Sequence, residues 1–287
     1  METDMSIEHV GVVGAGQMGS GIAQVCSAAG LKVTLCDQNQ QAVDRGINAI
    51  KTSLERMLAK EKISADQLSE TLARITSSTS TESLAKADIV IEAATEIESI
   101  KQSIFKDLDR ICQPNAILAT NTSSISITRL AAVTERPQQV IGMHFMNPVP
   151  MMKLVEVIRG LQTDDRVFEQ VNELSKFIGK VPVDVKDSFG FVSNRILLPM
   201  INEAIFCRYE GLASAEEIDT VMKLGMSHPM GPLALADLIG LDTCLNIMEV
   251  LYDGFNDSKY RPCPLLKQMV DAGYLGRKSG RGFYQYD

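Results

Sequence analysis

A histidine and a glutamate fall where they can form an acid–base pair. His144 lies in the strand-like run 139–145, and Glu156 lies in the next run, 154–158, with Pro150 midway between them. A parallel crossover needs about a dozen residues or more, so this short connection predicts an antiparallel hairpin. In a register centred on Pro150, the two side chains face each other with Cβ atoms about 5 Å apart.

A carboxylate at that distance fixes the tautomer of an imidazole and stabilises its cation. The pair therefore suits the removal of an alcohol proton while hydride leaves the carbon. The alternative is that His144 is a strand-end polar group bonded to backbone and that Glu156 lies on a solvated face. His9 and His228 have no comparable partner and are interpreted as structural, and with three dispersed histidines no metal site is predicted.

A glycine-rich turn with the pattern G-x-G-x-x-G follows the strand-like run 9–13 and opens a helical stretch over 17–29. That context is the one in which the pattern binds a dinucleotide. Gly14 permits the tight turn, Gly16 lets backbone amides approach a pyrophosphate, and Gly19 lets helix and strand pack closely. The alternative is a turn that merely joins strand to helix.

An acidic residue at the end of the second strand-like run supports the dinucleotide interpretation. Asp37 comes 18 residues after Gly19 and is followed by Gln38 and Asn39 rather than by an arginine. A carboxylate there accepts hydrogen bonds from a ribose diol and repels a 2′-phosphate, which favours NAD over NADP. The alternative role for Asp37 is that of a helix cap.

Two polar groups are candidates for holding a reacting oxygen. The run Asn121-Thr122-Ser123-Ser124 follows a strand that ends at Thr120, and loops at strand carboxyl ends form the ligand crevice of an open α/β sheet. Its side chains suit a substrate oxygen or a carboxamide, although turns and helix caps have the same composition. Asn194, near the start of a later helix, suits a developing oxyanion.

The pattern of the chain predicts two domains that position these residues. Up to about residue 187, strand-like runs alternate with helical stretches, which indicates an α/β domain with a parallel sheet and helices on both faces. After the strand-like run 181–185 the pattern becomes all-helical, over 191–209, 213–224, 233–254 and 265–273, with Ser214 as the N-cap of the second helix. We therefore expect domains at 1–187 and 188–287.

Composition excludes several classes of protein. The chain has 287 residues, 45% hydrophobic and 22% charged, which is ordinary for a globular protein. A net charge of −8 is a poor match to nucleic acid or an anionic membrane, and no apolar stretch reaches the roughly 18 residues of a membrane span. Six cysteines without C-x-x-C spacing, and an opening segment that fits no targeting signal, predict a cytoplasmic protein with reduced thiols.

Five motifs in family order and at family spacing resemble the L-3-hydroxyacyl-CoA dehydrogenase family, especially its bacterial 3-hydroxybutyryl-CoA dehydrogenase branch. The likeness covers essentially the whole chain, including the tail 276–280. The motifs are the glycine turn 14–19, Asn121-Thr122-Ser123-Ser124, His144-Phe145-Met146-Asn147-Pro148, Lys153-Leu154-Val155-Glu156 and Gly190-Phe191-Val192-Ser193-Asn194-Arg195.

The resemblance implies a Rossmann domain followed by an all-helical domain that dimerises, and reversible NAD-dependent oxidation of (3S)-3-hydroxyacyl-CoA to 3-ketoacyl-CoA. By position, His144 matches the general base, Glu156 its orienting carboxylate, and Ser123 and Asn194 the groups that bind the substrate's reacting oxygen. Positions that match cofactor contacts are Gly14, Gly16, Gln17, Met18, Gly19, Asp37, Glu96, Lys101, Asn121, Ser123, Asn147 and Lys278.

Ser53 and Lys60 match contacts to the coenzyme A portion of the acyl-CoA substrate. A basic segment in an acidic protein supports this assignment, since its charges suit the phosphates of a CoA nucleotide; its members are Lys51, Arg56, Lys60 and Lys62. The alternative is a solvated helix face on which Glu55 and Glu61 act as partners.

The chain departs from the family pattern at Met146, where many members have Phe, and at Phe189, where many have Pro. Neither position carries the proton or the hydride, so we expect altered packing near the site. Two other functions remain open at this point. One is a relative that oxidises a free sugar acid such as gulonate, and the other is a non-catalytic NAD-binding protein, since fold alone does not establish function.

Overall fold

The computed structural model describes residues 7–286. The chain divides into two compact units, the first ending at Asp187 and the second beginning at Ser188. The first contains an eight-stranded sheet and the second is built from helices. The predicted fold class, an α/β sheet domain with an antiparallel hairpin plus an all-α domain, is confirmed.

The first unit alternates strands and helices as its sequence pattern indicates. Its strands are β1 (His9–Val13), β2 (Lys32–Cys36), β3 (Ile75–Ser78), β4 (Ile89–Glu92), β5 (Ile117–Thr120), β6 (Val140–Phe145), β7 (Leu154–Arg159) and β8 (Val181–Lys186). Its helices are α1 (Gln17–Ala28), α2 (Gln40–Ala59), α3 (Ala65–Ala73), α4 (Glu98–Ile111), α5 (Ile127–Ala131) and α6 (Asp165–Phe177).

The strand order of the sheet creates a crevice beside β1. The order is β3-β2-β1-β4-β5-β6-β7-β8, parallel throughout except for the antiparallel pair β6 and β7. The chain therefore moves outward from β1 in both directions, and right-handed crossovers then put α1 and α4 on opposite faces. The loops that follow β1 and β4 diverge, and such a point is where open α/β sheets bind ligands.

Burial on both faces explains the composition of the central strands. Val10, Val12, Ile89 and Ile91 are fully buried in one apolar core. Strands covered on both sides are apolar at nearly every position, as these are. The rigid centre of the sheet thus lies directly beneath the loops at its carboxyl edge.

The turn between β1 and α1 depends on glycine at two positions. Gly14 has a φ of +99°, and a Cβ there would lie 2.6 Å from the carbonyl oxygen of Ala93. A Cβ on Gly19 would lie 1.7 Å from the carbonyl oxygen of Gly14. In contrast, a Cβ on Gly16 would meet nothing within 4 Å. The turn is therefore closely packed toward the protein and open on the side of Gly16.

Four helices and strands of the first unit, α3, β3, α5 and α6, were not anticipated from the pattern. Helix α3 begins with a capping box between Ser64 and Gln67. Strand β3 is an edge strand of sequence Ile-Thr-Ser-Ser and is only partly buried, so it has no apolar run to detect.

The second unit contains five α-helices among its described residues, packed around their own apolar core. Ser214 caps the second of them as predicted, in a capping box with Glu217. The helices are α7 (Ser193–Tyr209), α8 (Ala215–Gly225), α9 (Pro232–Ile239), α10 (Leu241–Phe255) and α11 (Pro264–Asp271).

Two predictions for this unit were wrong. The single helix over 233–254 is two helices, because Gly240 between α9 and α10 has a φ of +104°, which breaks the helix. The first helix begins at Ser193 rather than at 191, because Gly190 and Phe191 have φ values of +70° and +50°. Asn194 is therefore the second residue of α7 rather than a full turn inside the helix.

Two buried carboxylates hold the carboxyl-terminal tail of the second unit. Asp219 accepts hydrogen bonds from the first backbone amides of α9 and from the Tyr284 hydroxyl at 2.8 Å. Asp237 accepts from the amides of residues 283 and 284 and from the Tyr286 hydroxyl at 2.9 Å. Burial and the bond to Asp237 raise the pKa of Tyr286 to about 12, so this phenol remains a donor at neutral pH.

The departure at Phe189 is accommodated within the second unit. Its ring packs edge-on against Phe255, with centroids 5.4 Å apart. A Cβ on Gly254 would lie 2.4 Å from the Phe189 ring. The aromatic side chain therefore fits because glycine stands at 254.

All six cysteines are free thiols, and five are buried. Burial raises the pKa of Cys26 and Cys244 to about 12, so neither is a nucleophile at neutral pH. In residues 7–286 there is no helix with the length and apolar character to cross a bilayer, and no cluster of three or more His, Cys, Asp or Glu side chains suited to a metal ion.

We predict that Gly19→Ala lowers the free energy of unfolding by about 1–3 kcal/mol, because its Cβ overpacks against the Gly14 carbonyl. Gly16→Ala is the matched control and should cost no more than about 1 kcal/mol, from the poorer N-cap preference of alanine. Urea unfolding of both variants measures the difference. Equal losses would mean that the contact at Gly19 does not constrain the turn.

Candidate active site

The hairpin of β6 and β7 pairs His144 directly with Glu156. The predicted antiparallel register is confirmed, with these two residues opposite each other in the ladder. His144 Nδ1 lies 2.8 Å from Glu156 Oε2, and the two residues are 6% and 2% exposed. Both residues lie on paired strands of one sheet, which fixes their backbones. The contact between the side chains therefore does not depend on the position of a flexible loop.

The hydrogen bond to Glu156 determines which ring nitrogen can act as a base. A carboxylate only accepts, so the proton of this bond lies on Nδ1 of the imidazole. Nε2 then presents its lone pair on the other side of the ring. Ser123 Oγ lies 3.1 Å from Nε2 and can donate to it. The three groups form a chain in which the carboxylate orients the ring and the ring faces a hydroxyl.

Backbone hydrogen bonds fix the loop that carries Ser123. It follows β5, and the Asn121 side chain accepts from the Phe145 amide at 2.9 Å, which ties the loop to β6. Glu96 accepts from the backbone amides of Ser123 at 2.9 Å and Ser124 at 3.2 Å. The loop is therefore held from two neighbouring segments at the carboxyl edge of the sheet.

The glycine turn has the features that a dinucleotide requires. The first turn of α1 has no side-chain cap at Gly16, which leaves its amides for an anion on the open side of the turn. Asp37 accepts from the Ala15 amide at 2.7 Å, so its carboxylate lies beside the turn. The role of helix cap was wrong for Asp37, because Asn39 caps α2. These residues fit the pyrophosphate and ribose of NAD.

Lys101 lies at a position matched to a cofactor contact, but its ammonium group is turned toward protein carboxylates. It is 1% exposed and forms ion pairs with Glu92 at 2.7 Å and with Glu96 at 3.3 Å. Glu92 was not among the predicted site residues. One feature of the sequence could have indicated Glu92: it is an acidic residue at the end of the otherwise apolar strand Ile89–Glu92.

The remaining predicted cofactor and oxyanion residues lie in different parts of the chain. Asn147 is exposed just after β6. The buried Lys180 donates hydrogen bonds to two backbone carbonyls of the connection between β6 and β7. In the second unit, Asn194 lies at the start of α7, and Lys278 forms an ion pair with Asp242 at 2.5 Å. The first unit by itself thus brings together His144, Glu156, Ser123, Asn121 and Glu96.

A groove joins the glycine turn to the predicted coenzyme A contact on α2. Gly16, Gln17, Arg45, Ser53 and Pro150 line it. Beyond the groove, the basic residues of α2 are exposed, and Lys51 is only loosely paired with Glu55 at 4.0 Å. Lys60, at the end of α2, is likewise exposed, so its charge is accessible to an anionic ligand.

Comparisons with known proteins cover nearly the full chain. Residues 9–188 match the NAD binding domain of the 3-hydroxyacyl-CoA dehydrogenase family, and residues 190–286 match the family's C-terminal domain. The chain is 59% identical to a probable 3-hydroxybutyryl-CoA dehydrogenase of Bacillus subtilis, over 99% of each chain. It is 53% identical to a 3-hydroxybutyryl-CoA dehydrogenase of Bradyrhizobium diazoefficiens, over 98% of this chain and 96% of the relative.

A solved structure is also similar to nearly the whole chain. The crystal structure of (S)-3-hydroxybutyryl-CoA dehydrogenase from Ralstonia eutropha superposes with a TM-score of 0.96 at 58% identity, covering 98% of this chain and 100% of the other. Both halves of the chain are thus matched. The chain belongs to the 3-hydroxyacyl-CoA dehydrogenase family, and it is an NAD-dependent dehydrogenase.

Proposed function

We propose that the protein interconverts (3S)-3-hydroxybutyryl-CoA and acetoacetyl-CoA with NAD, using His144 and Glu156 as its acid–base pair. The observation that carries the proposal is the buried 2.8 Å bond between His144 and Glu156, with Ser123 at the other ring nitrogen. The short acyl chain is inferred from the substrates named for the relatives that match nearly the whole chain.

His144 performs the proton transfer in this mechanism. In the oxidative direction its Nε2 accepts the proton of the C3 hydroxyl, and Glu156 stabilises the imidazolium that forms. NAD, when bound, supplies the hydride acceptor. In the reverse direction the imidazolium returns the proton to the C3 oxygen. One buried carboxylate therefore supports both directions, because it stabilises the imidazolium that forms in oxidation and that donates its proton in reduction.

Ser123 and Asn194 hold the C3 oxygen of the substrate in the proposed complex. Support for Ser123 comes from its hydroxyl, which lies 3.1 Å from His144 Nε2, so one oxygen atom can contact both groups. Support for Asn194 comes from its place in the family motif at the start of α7. A hydrogen bond that strengthens as the oxygen gains negative charge stabilises the transition state more than the ground state.

We further propose that the enzyme works in the cytoplasm as a homodimer formed through residues 188–287. Free thiols at all six cysteines support a reducing compartment. Exposed apolar side chains on the second unit support an interface between two copies, since a soluble monomer seldom exposes a large apolar patch. These side chains are Ile196 (67%), Leu212 (76%), Val221 (61%), Leu224 (82%) and Met226 (61%).

We predict that His144→Ala lowers kcat by about 10²–10⁴-fold with NADH affinity nearly unchanged, because it removes the proton carrier and leaves the glycine turn intact. The measurement is NADH oxidation with acetoacetyl-CoA, together with NADH binding. His228→Ala, which removes a histidine from a loop of the second unit, is the control and should keep wild-type turnover. Comparable rates in the two variants would remove His144 from this role.

Lys60→Glu tests whether the substrate carries coenzyme A. We expect KM for acetoacetyl-CoA to rise about 10-fold or more while kcat changes little, since a charge that binds the nucleotide acts equally in ground and transition states. Lys106→Glu changes the net charge identically on an exposed position of α4 and should leave KM unchanged. Equal KM values for both variants would favour a substrate without a CoA nucleotide.

Leu224→Glu should dissociate the proposed dimer. Burying a leucine contributes about 1.5–3 kcal/mol, and a two-fold interface contains the site twice, so we expect the dimer Kd to rise by about 10²-fold or more. Sedimentation equilibrium measures this change. Leu161→Glu, at a position 86% exposed in the first unit, should leave the assembly unchanged. A monomeric wild-type protein at micromolar concentration would contradict the proposal.

A further inference from the structure

A fully buried carboxylate lies beneath the loop that carries Ser123. Glu92 closes β4, is 0% exposed and accepts three hydrogen bonds. The donors are the Ala94 amide at 2.6 Å, the Lys101 ammonium at 2.7 Å and the Thr120 hydroxyl at 2.7 Å. A buried ion pair is weak evidence for stability, because desolvation of both charges offsets their attraction. The pair of Glu92 and Lys101 therefore calls for another explanation.

Lys101 connects this buried carboxylate to a second one nearer the surface. Its ammonium, on a side chain 1% exposed, lies 3.3 Å from Oε2 of Glu96, whose side chain is 41% exposed. It also donates to the Ala94 carbonyl at 3.3 Å. The Lys101 ammonium is thus held by Glu92 and by the Ala94 carbonyl, and its charge also faces Glu96. A carboxylate as exposed as Glu96 has water as its alternative partner, so Lys101 determines where it lies.

The other oxygen of Glu96 holds the Ser123 loop. Oε1 accepts from the Thr122 hydroxyl at 2.5 Å, from the Ser123 amide at 2.9 Å and from the Ser124 amide at 3.2 Å. Charge-assisted bonds of this kind are about twice as strong as neutral ones. Residues 122–124 of the loop that presents Ser123 Oγ to His144 thus each donate a hydrogen bond to the same carboxylate oxygen.

Glu92 reaches the same loop by a second route. Its Oε2 accepts from the Thr120 hydroxyl, and the oxygen of that hydroxyl accepts from the Thr122 amide at 3.1 Å. The two routes, one through Lys101 and Glu96 and the other through Thr120, meet in the loop after β5. Glu92 is thereby linked to the ends of β4 and β5 and to the loop 121–124.

We propose that Glu92 and Lys101 are positioning residues that hold Ser123 against His144 by way of Glu96. The inference rests on the proposed function, in which Ser123 and His144 share the substrate oxygen. The ion pair of Glu92 and Lys101 is then retained because it positions Ser123 relative to His144.

The test compares single and double variants of the pair. Lys101→Met leaves the buried Glu92 carboxylate without its cation, and Glu92→Gln leaves the Lys101 ammonium with Glu96 as its remaining carboxylate. We expect Tm to fall in both variants, by about 10 °C in Lys101→Met. The double variant Glu92→Gln/Lys101→Met removes both charges and should recover most of that loss. Its kcat at saturating NADH should nevertheless stay about 10–10²-fold below wild type, because Glu96 has lost its cation.

A readout on the protein without ligands separates this proposal from the proposed reaction. In the double variant, hydrogen exchange at the Ser123 and Ser124 amides should accelerate about 10-fold or more, since their acceptor is released. Glu96→Ala, which leaves the pair of Glu92 and Lys101 intact and alters an exposed side chain, should accelerate the same amides. These variants remain informative even where the double variant folds poorly.

The control removes a similar ion pair elsewhere in the first unit. Asp109 and Arg136 pair at 2.7 Å with side chains 12% and 15% exposed, near the carboxyl end of α4. Asp109→Asn should lower Tm and leave kcat and the exchange of the Ser123 and Ser124 amides unchanged. A fall in kcat for this variant equal to that of the double variant would mean that lost stability alone explains the effect, which overturns the proposal.

Two other outcomes would also overturn it. One is unchanged amide exchange in both the double variant and Glu96→Ala, and the other is weaker NADH binding that accounts for all lost activity, which makes Lys101 a cofactor contact. If wild-type protein fails to oxidise NADH with any 3-ketoacyl-CoA while the amides still respond, the proposed function fails and the positioning network stands.

Discussion

The hydrogen bond between His144 and Glu156 is the interaction on which the proposed chemistry depends. It is buried, and it joins facing residues of two paired strands, so the ring has one orientation and one protonated nitrogen in the neutral state. A carboxylate buried at 2% exposure is costly unless it is hydrogen-bonded. The pairing meets that requirement and leaves Nε2 directed at Ser123.

The sheet brings the glycine turn and the proposed acid–base pair to one edge. The glycine turn follows β1, Glu96 follows β4, and the Ser123 loop follows β5, so parallel strands deliver all three at their carboxyl ends. The antiparallel strand β7 then adds Glu156 from its beginning. The polar loops are supported by strands that are apolar and rigid, which keeps hydrogen-bonded groups within a few tenths of an ångström of working distance.

The sequence predicts those features that have a local signature. The hairpin register, the glycine turn and the cap at Ser214 each follow from a few neighbouring residues, and the structure has all three. Strand β3 has no apolar run, and the break at Gly240 depends on a positive φ that composition does not specify. The links from Glu92 to Lys101 and Glu96 join side chains of three segments, so spacing alone gives no measure of their burial or direction.

The acid–base pair is also close in the chain. His144 and Glu156 are separated by 12 positions and lie within one hairpin, whereas Ser123 and His144 are 21 positions apart, at the start and the end of the crossover from β5 to β6. Contacts between near neighbours in sequence require little loop-closure entropy, so they form readily during folding. The proposed acid–base pair thus depends on the pairing of two adjacent strands, whereas the glycine turn and the Ser123 loop come from other strands of the sheet.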